Sequence, residues 1–450
     1  MSYLLSGGTL CHEEGIEAGD LLLDNDKIVA NESPGRREAN NEVVDARGCY
    51  VLPGLIDVHV HLDDRIGPFQ LADDTASGSR AALLNGLTTL AGFITQSRGE
   101  RLSETIARAR QKAIGRSHCD YLWHLTPTVF DKPGWHEIMA MAEKGWKTFK
   151  FYTTYRESGI YCSYQRLEEV MNRLRPAGAT ILVHAEDDDA LKRVRSGSLP
   201  LADAFSHAIM RPPAAETKAA VKLLELAEKN DARIHLVHLS SVATVEAVAR
   251  ASRRMKVSGE TAPHYLFLDE TWLKRPDGHR WLCTPPLRDE GTVLQLREMA
   301  REGFFDLFAT DHCAFSRQDK DARSDDIRQV PKGIAGIGAL LHLVYKLLLD
   351  LRSRGLTEIS RRLAANPARL LGLFPRKGTL RPGADADIVV LDPGGEEQPI
   401  VSSFSHCYET YPGFTSPLKI RHLFLRGQWL IRDNVFVGEN KPRGICLCPE

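Results

Sequence analysis

Six side chains set the chemical question. His59 and His61 close the run Asp57-Val-His-Val-His-Leu, His184 closes Leu182-Val-His, His238 closes Leu236-Val-His, and Asp311 follows Ala309-Thr. Residues two apart on a strand share a face, so His59 and His61 point the same way. Imidazole with carboxylate favours zinc or a similar divalent ion. A catalytic single-zinc site needs three protein ligands and an open position. Five therefore suit two metals about 3.5–4 Å apart, and such a pair requires a bridging anion. The sixth side chain is Lys150, in Lys147-Thr-Phe-Lys-Phe-Tyr. An ammonium is rarely buried unpaired, and two dications would repel it. Addition of carbon dioxide would turn Lys150 into a carbamate, N6-carboxylysine, an oxygen donor able to bridge. Lys147 competes for that role but reads as a surface charge where the strand begins.

These residues need a scaffold that brings distant segments to one edge. Candidate strands are 54–62, 88–95, 121–126, 148–152, 180–185, 233–239, 256–261 and 305–310, with helical periodicity between them at 215–229, 241–254 and 292–301. Eight strands alternating with helices over about 320 residues fit a (β/α)8 TIM barrel, whose active site lies at the C-terminal ends of its strands. An open doubly wound sheet is the alternative, but no Gly-x-Gly-x-x-Gly turn follows any strand. Both chain ends read instead as short strands separated by glycine turns, and neither has apolar surface enough to fold alone. The expected organisation is a composite β-sandwich from 1–51 plus 376–450, around a barrel at 52–375. The charge-dense 319–328 stretch reads as a solvated loop.

Composition narrows the partners. With 58 basic against 59 acidic side chains the chain is nearly neutral, which removes the electrostatic case for nucleic acid or an anionic membrane. No uncharged apolar run approaches the length of a membrane span, and the first residues lack the pattern of a signal peptide. Nine cysteines, an odd number spread along the chain, do not make a disulfide framework. Cys446 and Cys448 are the one close pair, weak as a metal motif. A cytoplasmic protein with unpaired thiols is expected.

The order His59-x-His61, Lys150, His184, His238, Asp311 resembles the binuclear amidohydrolase superfamily. Within it the likeness is to the cyclic amidohydrolases of the hydantoinase and dihydropyrimidinase group. Leu52-Pro-Gly-Leu-Ile-Asp-Val-His, Arg211-Pro-Pro, Val237-His-Leu-Ser-Ser, Thr284-Pro-Pro-Leu-Arg, Thr310-Asp-His-Cys and Gly383-Ala-Asp-Ala-Asp-Ile-Val-Val carry it over nearly the whole chain. The resemblance implies that His59, His61 and Asp311 hold one metal, zinc first among the candidates. It implies that His184 and His238 hold a second and that carboxylated Lys150 bridges both. A hydroxide between the metals would attack, with Asp311 as the catalytic base and acid. Tyr155 would donate to the oxyanion, and Tyr155, Thr284, Lys332 and Gly333 would contact substrate. A homo-oligomer, tetramer or dimer, is implied as well.

Departures from the group's pattern bear on the substrate. Asp63 stands where dihydroorotases carry an arginine, although His264 would suit one, and Tyr155 is a residue that allantoinases usually lack. Pro331-Lys332-Gly333 replaces the usual Pro-Asn-Gly of a hydantoinase, so Lys332 is a candidate to meet an anionic ring substituent. Aromatic Phe69, Phe93, Tyr152 and Tyr161 are expected around a substituent pocket. The expected function is metal-dependent opening of a cyclic amide or ureide, hydantoin or dihydropyrimidine, to an N-carbamoyl amino acid. Allantoin, dihydroorotate and cyclic imides are the alternative rings. A non-catalytic scaffold related to dihydropyrimidinase is the other class, and it predicts missing ligands.

Overall fold

Alternation within the apolar runs decides the architecture of the computed structural model, which describes residues 2–32, 41–195, 202–403, 405, 408–438 and 441–449. Eight parallel strands pair in chain order: β1 (Leu55–Val60), β2 (Leu87–Thr95), β3 (Asp120–Thr126), β4 (Thr148–Tyr152), β5 (Thr180–His184), β6 (Arg233–Leu236), β7 (Val257–Thr261) and β8 (Leu307–Phe308). Successive side chains point to opposite faces. On β4, Phe149 and Phe151 join Ile181, Val183, Ile234 and Leu236 in the core under the helices. Lys150 therefore faces inward, as do Phe93, Leu182 and Val237, which form a small cluster of their own. Each fully buried large apolar side chain contributes about 1.5–3 kcal/mol. A one-residue slip would expel Lys150 and bury its neighbours on the wrong side.

The sheet is nearly closed. Between β1 and β8 there is a single bridge, Val60 with His312, supported by the His61 N–H donating to the His312 carbonyl at 2.7 Å. Helices pack outside. Thr75–Leu84 is capped by Asp74, whose side chain accepts from the Ser77 N–H, and Pro213–Lys229 and Val242–Ser252 flank β6. The (β/α)8 barrel expected from the sequence is therefore present, with all eight strands found. Five, β1, β5, β6, β7 and β8, are shorter than expected. β6 stops at Leu236, and β8 is only Leu307–Phe308, because Asp57 accepts the Thr310 N–H at 3.1 Å and the Thr310 hydroxyl at 2.5 Å, diverting that segment from ladder pairing. His61 consequently lies one residue past the end of β1.

Strands from both chain ends join one nine-stranded sheet. Tyr50–Pro53 pairs antiparallel with Ile388–Asp392, then leads through Gly54 into β1. This sheet has a separate core that includes Leu5, Leu21, Leu23, Val51, Ile388 and Phe424. Residues 444–449 return to the barrel, where the Tyr121 N–H donates to the Ile445 carbonyl and the Leu447 N–H to the Tyr121 carbonyl. The 319–328 stretch is not wholly a solvated loop. It begins inside helix Arg317–Asp321, and Lys320 there is fully buried with its ammonium 2.9 Å from the Leu282 carbonyl. No helix among the described residues is long and apolar enough to cross a membrane, and the eight described cysteines are free thiols.

Candidate active site

The C-terminal edge of the barrel gathers the predicted donors into two groups. His59 Nε2 lies 3.1 Å and His61 Nε2 3.6 Å from the same Asp311 oxygen, and one ligand atom from each residue falls within 4.8 Å of the others. His184 Nδ1 faces His238 Nε2 at 2.9 Å. The groups adjoin, with the His59 and His238 rings 5.4 Å apart. Lys150 stands near both, its charge felt at His59, His61, His184 and His238. It pairs with Leu182 in the β4–β5 register while Tyr152 pairs with His184, so its four-carbon stem spans one pleat to reach the imidazoles. Its ammonium lies 4.9 Å from the Phe93 ring centre and 5.1 Å from that of Tyr152.

Burial sets the electrostatics of this edge. It pushes Lys150 down to about 7, a fall that the Glu260 and Asp311 charges only partly offset. It lowers His61 and His184, and it takes His238 well below the usual histidine value, helped there by the neighbouring His184. Burial would raise Asp311, yet the facing His59 and His61 hold it well below the carboxylate range. His59 moves the other way, the Asp311 and Glu260 charges outweighing burial to raise it, whereas neutral imidazoles and an ionised carboxylate are the protonation states that bind a metal. Both Asp311 and His238 have positive φ, 49° and 42°, a strain that clusters at functional sites.

His59 and His184 are oriented from behind. Glu260 on β7 accepts from His59 Nδ1 at 2.5 Å and from His235 Nε2 at 3.0 Å. Glu186 faces His184 Nε2 at 2.6 Å and is itself held by Arg211 at 2.5 Å. Asp57 accepts the His59 N–H at 3.1 Å. Such partners fix the ring orientation of metal-binding histidines. Sequence reading passed over Glu260, Glu186 and Asp57, although a charged residue inside or just beyond an apolar strand was the available signal. Glu186 even repeats the two-residue spacing after His184.

The Tyr155 ring lies 5.2 Å from that of His184, and its hydroxyl faces the Thr284 side chain. Burial pushes the Tyr155 hydroxyl up to about 12, so it stays protonated across ordinary pH. His207 supports Thr284, its Nε2 lying 3.0 Å from the Cys283 carbonyl and 3.2 Å from the Thr284 hydroxyl. Gly333 has φ +153°, and a Cβ there would sit 2.7 Å from the Cys313 carbonyl oxygen and sulfur, so only glycine fits. Among the described residues, Lys332 bonds within its own loop. Its ammonium donates to the Ile327 and Arg328 carbonyls at 2.6 and 2.9 Å. Its charge is nonetheless felt at His207, which burial, Arg211 and Lys332 together keep neutral.

Asp63 points away from this edge, into Thr75 and towards Arg116. Phe93 packs on His59 and His61 at 4.5 and 5.0 Å between rings. Phe69 sits with Leu71, Cys313 and Phe315. His264 is fully buried beside this edge, its Nε2 without a partner among the described residues, and burial pushes it down to about 4.

The family model described as the amidohydrolase family matches residues 50–430, most of the barrel and much of the terminal sheet. The chain belongs to the amidohydrolase family. This amidohydrolase is 32% identical to the D-hydantoinase of Ralstonia pickettii over 98% of its own length and 97% of the relative's. It is 31% identical to the dihydropyrimidinase of Arabidopsis thaliana over 90% of its own length and 76% of that protein's. Its structure superposes on the crystal structure of the dihydropyrimidinase from Brevibacillus agri with a TM-score of 0.94 at 30% identity, covering 100% of this chain and 99% of the other. An amidohydrolase of this kind is a hydrolase with a divalent metal site, and the His59–His61–Asp311 cluster has the donor chemistry for one.

Proposed function

We propose that this amidohydrolase opens a cyclic amide or ureide, of the hydantoin or dihydropyrimidine type, to an N-carbamoyl amino acid. The observation that carries the reading is the pair of adjoining donor groups, His59–His61–Asp311 and His184–His238, beside buried Lys150, with the Tyr155 ring 5.2 Å from that of His184. A scaffold that had lost catalysis would not retain all six donors.

His59, His61 and Asp311 would hold one divalent ion, and His184 and His238 a second, with Lys150 between. The donor set fits zinc. Lys150 fits carboxylation, because burial lowers its pKa to about 7 and so makes the uncharged amine that adds to carbon dioxide available near neutral pH. When bound, the metal ions supply Lewis acidity to the scissile carbonyl and to the attacking water. The protein does the rest. The Asp311 carboxylate takes the proton of the water as it adds to the ring carbonyl. Charge develops on the carbonyl oxygen, towards which the Tyr155 hydroxyl donates. Thr284 holds the ring amide, and Gly333 presents its backbone close to the ring. Asp311 then returns the proton to the departing nitrogen as the C–N bond breaks, releasing the carbamoyl product. The barrel and the terminal sheet are proposed as two units meeting near residues 52 and 376, in a homo-oligomer.

A rate panel tests this. Metal-loaded enzyme supplied with bicarbonate is assayed on hydantoin, dihydrouracil, allantoin, dihydroorotate and succinimide. The expected result is turnover of hydantoin or dihydrouracil with the N-carbamoyl product detected. Preferred turnover of another ring would shift the substrate assignment, and absence of both bound metal and hydrolysis would refute the enzyme reading.

A further inference from the structure

Tyr155 has an unusual backbone. Its φ of 68° and ψ of 43° are left-handed, a region that residues with a Cβ enter only when their surroundings hold them there. Its neighbours on both sides are tied to one carboxylate. The Thr154 hydroxyl donates to one oxygen of Asp188 at 3.2 Å, and Arg156 Nε donates to the other at 2.6 Å. The carboxylate is buried, with 4% of its side chain exposed. Lys192 adds a contact at 3.2 Å.

The arginine is fixed as well. Its guanidinium carbon lies 3.8 Å from the Tyr161 ring centre, and its Nη2 donates to the Tyr161 hydroxyl at 2.7 Å. One residue earlier, the Thr153 hydroxyl donates to the Glu186 carbonyl at 2.8 Å and accepts the Glu186 N–H at 2.9 Å. The segment after β4 is thus fastened to the segment after β5 on each side of Tyr155. Sequence reading gave Asp188 no role, because nothing in the order of residues reveals a carboxylate received 32 and 34 positions away.

We infer that Asp188 is a positioning residue, whose carboxylate bonds to Thr154 and Arg156 lock Tyr155 in the left-handed turn that aims its hydroxyl over the donor groups. The inference rests on the proposed role of Tyr155 as oxyanion donor. Freed from Asp188, the turn would relax towards ordinary backbone, and an error of about 1 Å in a catalytic group costs up to about 100-fold in rate. Substrate binding, shared with Thr284 and Gly333, would change little. The loss therefore belongs in kcat.

The test is a double-mutant cycle on metal-loaded enzyme, with Asp188→Ala, Tyr155→Phe and the pair. Metal content and melting temperature are measured in each. Asp188→Ala is expected to lower kcat by about 10- to 100-fold and to move KM by less than about three-fold. In the Tyr155→Phe background it should cost no more than about two-fold, since no hydroxyl is left to aim. A role confined to stability would not be epistatic with a single hydroxyl. Equal losses in both backgrounds, or no loss in the parent, would overturn the inference. If Tyr155→Phe alone leaves kcat unchanged, the oxyanion reading itself falls, and the clamp with it. Should the alanine variant fold poorly, Asp188→Asn keeps one acceptor oxygen and should give an intermediate kcat loss, while parental kcat in that variant would refute the clamp.

Discussion

Two lysines are buried to nearly the same degree in this molecule, and their surroundings drive them in opposite directions. Lys377, 2% exposed, sits where the terminal sheet meets the barrel. Its ammonium lies 2.8 Å from Asp120 on β3, 2.5 Å from Asp387 and 3.3 Å from Asp385. Burial alone would lower its pKa, but Asp387 and Asp120 outweigh that and hold it above the usual lysine value. Lys150, 1% exposed, meets two aromatic faces, and the Glu260 and Asp311 charges raise it too little to overcome burial. The first lysine is a fixed charge that ties two parts of the chain together. The second is an amine available for chemistry. Residue type and burial are common to both, and carboxylates act on both, so what separates them is how many carboxylates stand within bonding distance of the ammonium.

Lys320 sharpens the comparison. Burial pushes it to about 7 as well, but its ammonium donates to the Leu282 backbone carbonyl and its neighbours are Cys283 and Cys313. A depressed pKa without converging metal donors does not mark a reactive lysine.

The comparison breaks most sharply at Lys150. Lys150→Ala should lower turnover by more than about 1,000-fold and reduce bound metal, because the bridging donor is removed. Short carboxylic acids should restore part of the activity by occupying the vacated place. Full activity of the variant would remove the bridge assignment. Lys377→Met is expected to behave in the opposite way. Truncating one partner leaves Asp120 and Asp387 buried beside one another, which costs about 3–5 kcal/mol of stability. Folded, metal-loaded molecules should keep kcat within about two-fold. Denaturant midpoints and single-concentration rates separate the two outcomes, and a kcat loss without a stability loss would contradict the structural reading of Lys377.

The legible part of the molecule is the part ruled by short-range pattern. Period-two runs located all eight barrel strands, and the polar residues at their C-terminal ends supplied both donor groups. Lys150 was readable because an inward lysine between Phe149 and Phe151 has no ordinary explanation on a barrel strand. What escaped is long-range. Glu260 meets His59 from 201 residues away, and Thr310 is received by Asp57 from 253. A carboxylate inside a strand looks like a surface residue until the partner arrives. Lys320 failed for the same reason. Its surrounding charges suggest solvent, while the single side chain that turns inward is invisible to composition.

The smallest expected effect concerns Lys332, where rim and centre are compared directly. Here the ammonium is already engaged by the Ile327 and Arg328 carbonyls, so the loop gives it a structural use. It also stands close enough to His207 to be felt electrostatically, and His207 supports Thr284. These two facts predict different patterns in Lys332→Ala. If the charge serves substrate, rings carrying a carboxylate should lose about five-fold in kcat/KM and neutral rings less than about two-fold, a modest figure because the side chain is only half-buried. The five-fold loss should also shrink as salt is raised, since a charge on the rim is screened. If the ammonium merely braces the loop, both ring classes fall together and salt changes nothing. The proposed role of Lys332 in binding requires the first pattern, and the second would leave substrate choice to Tyr155, Thr284 and the backbone at Gly333.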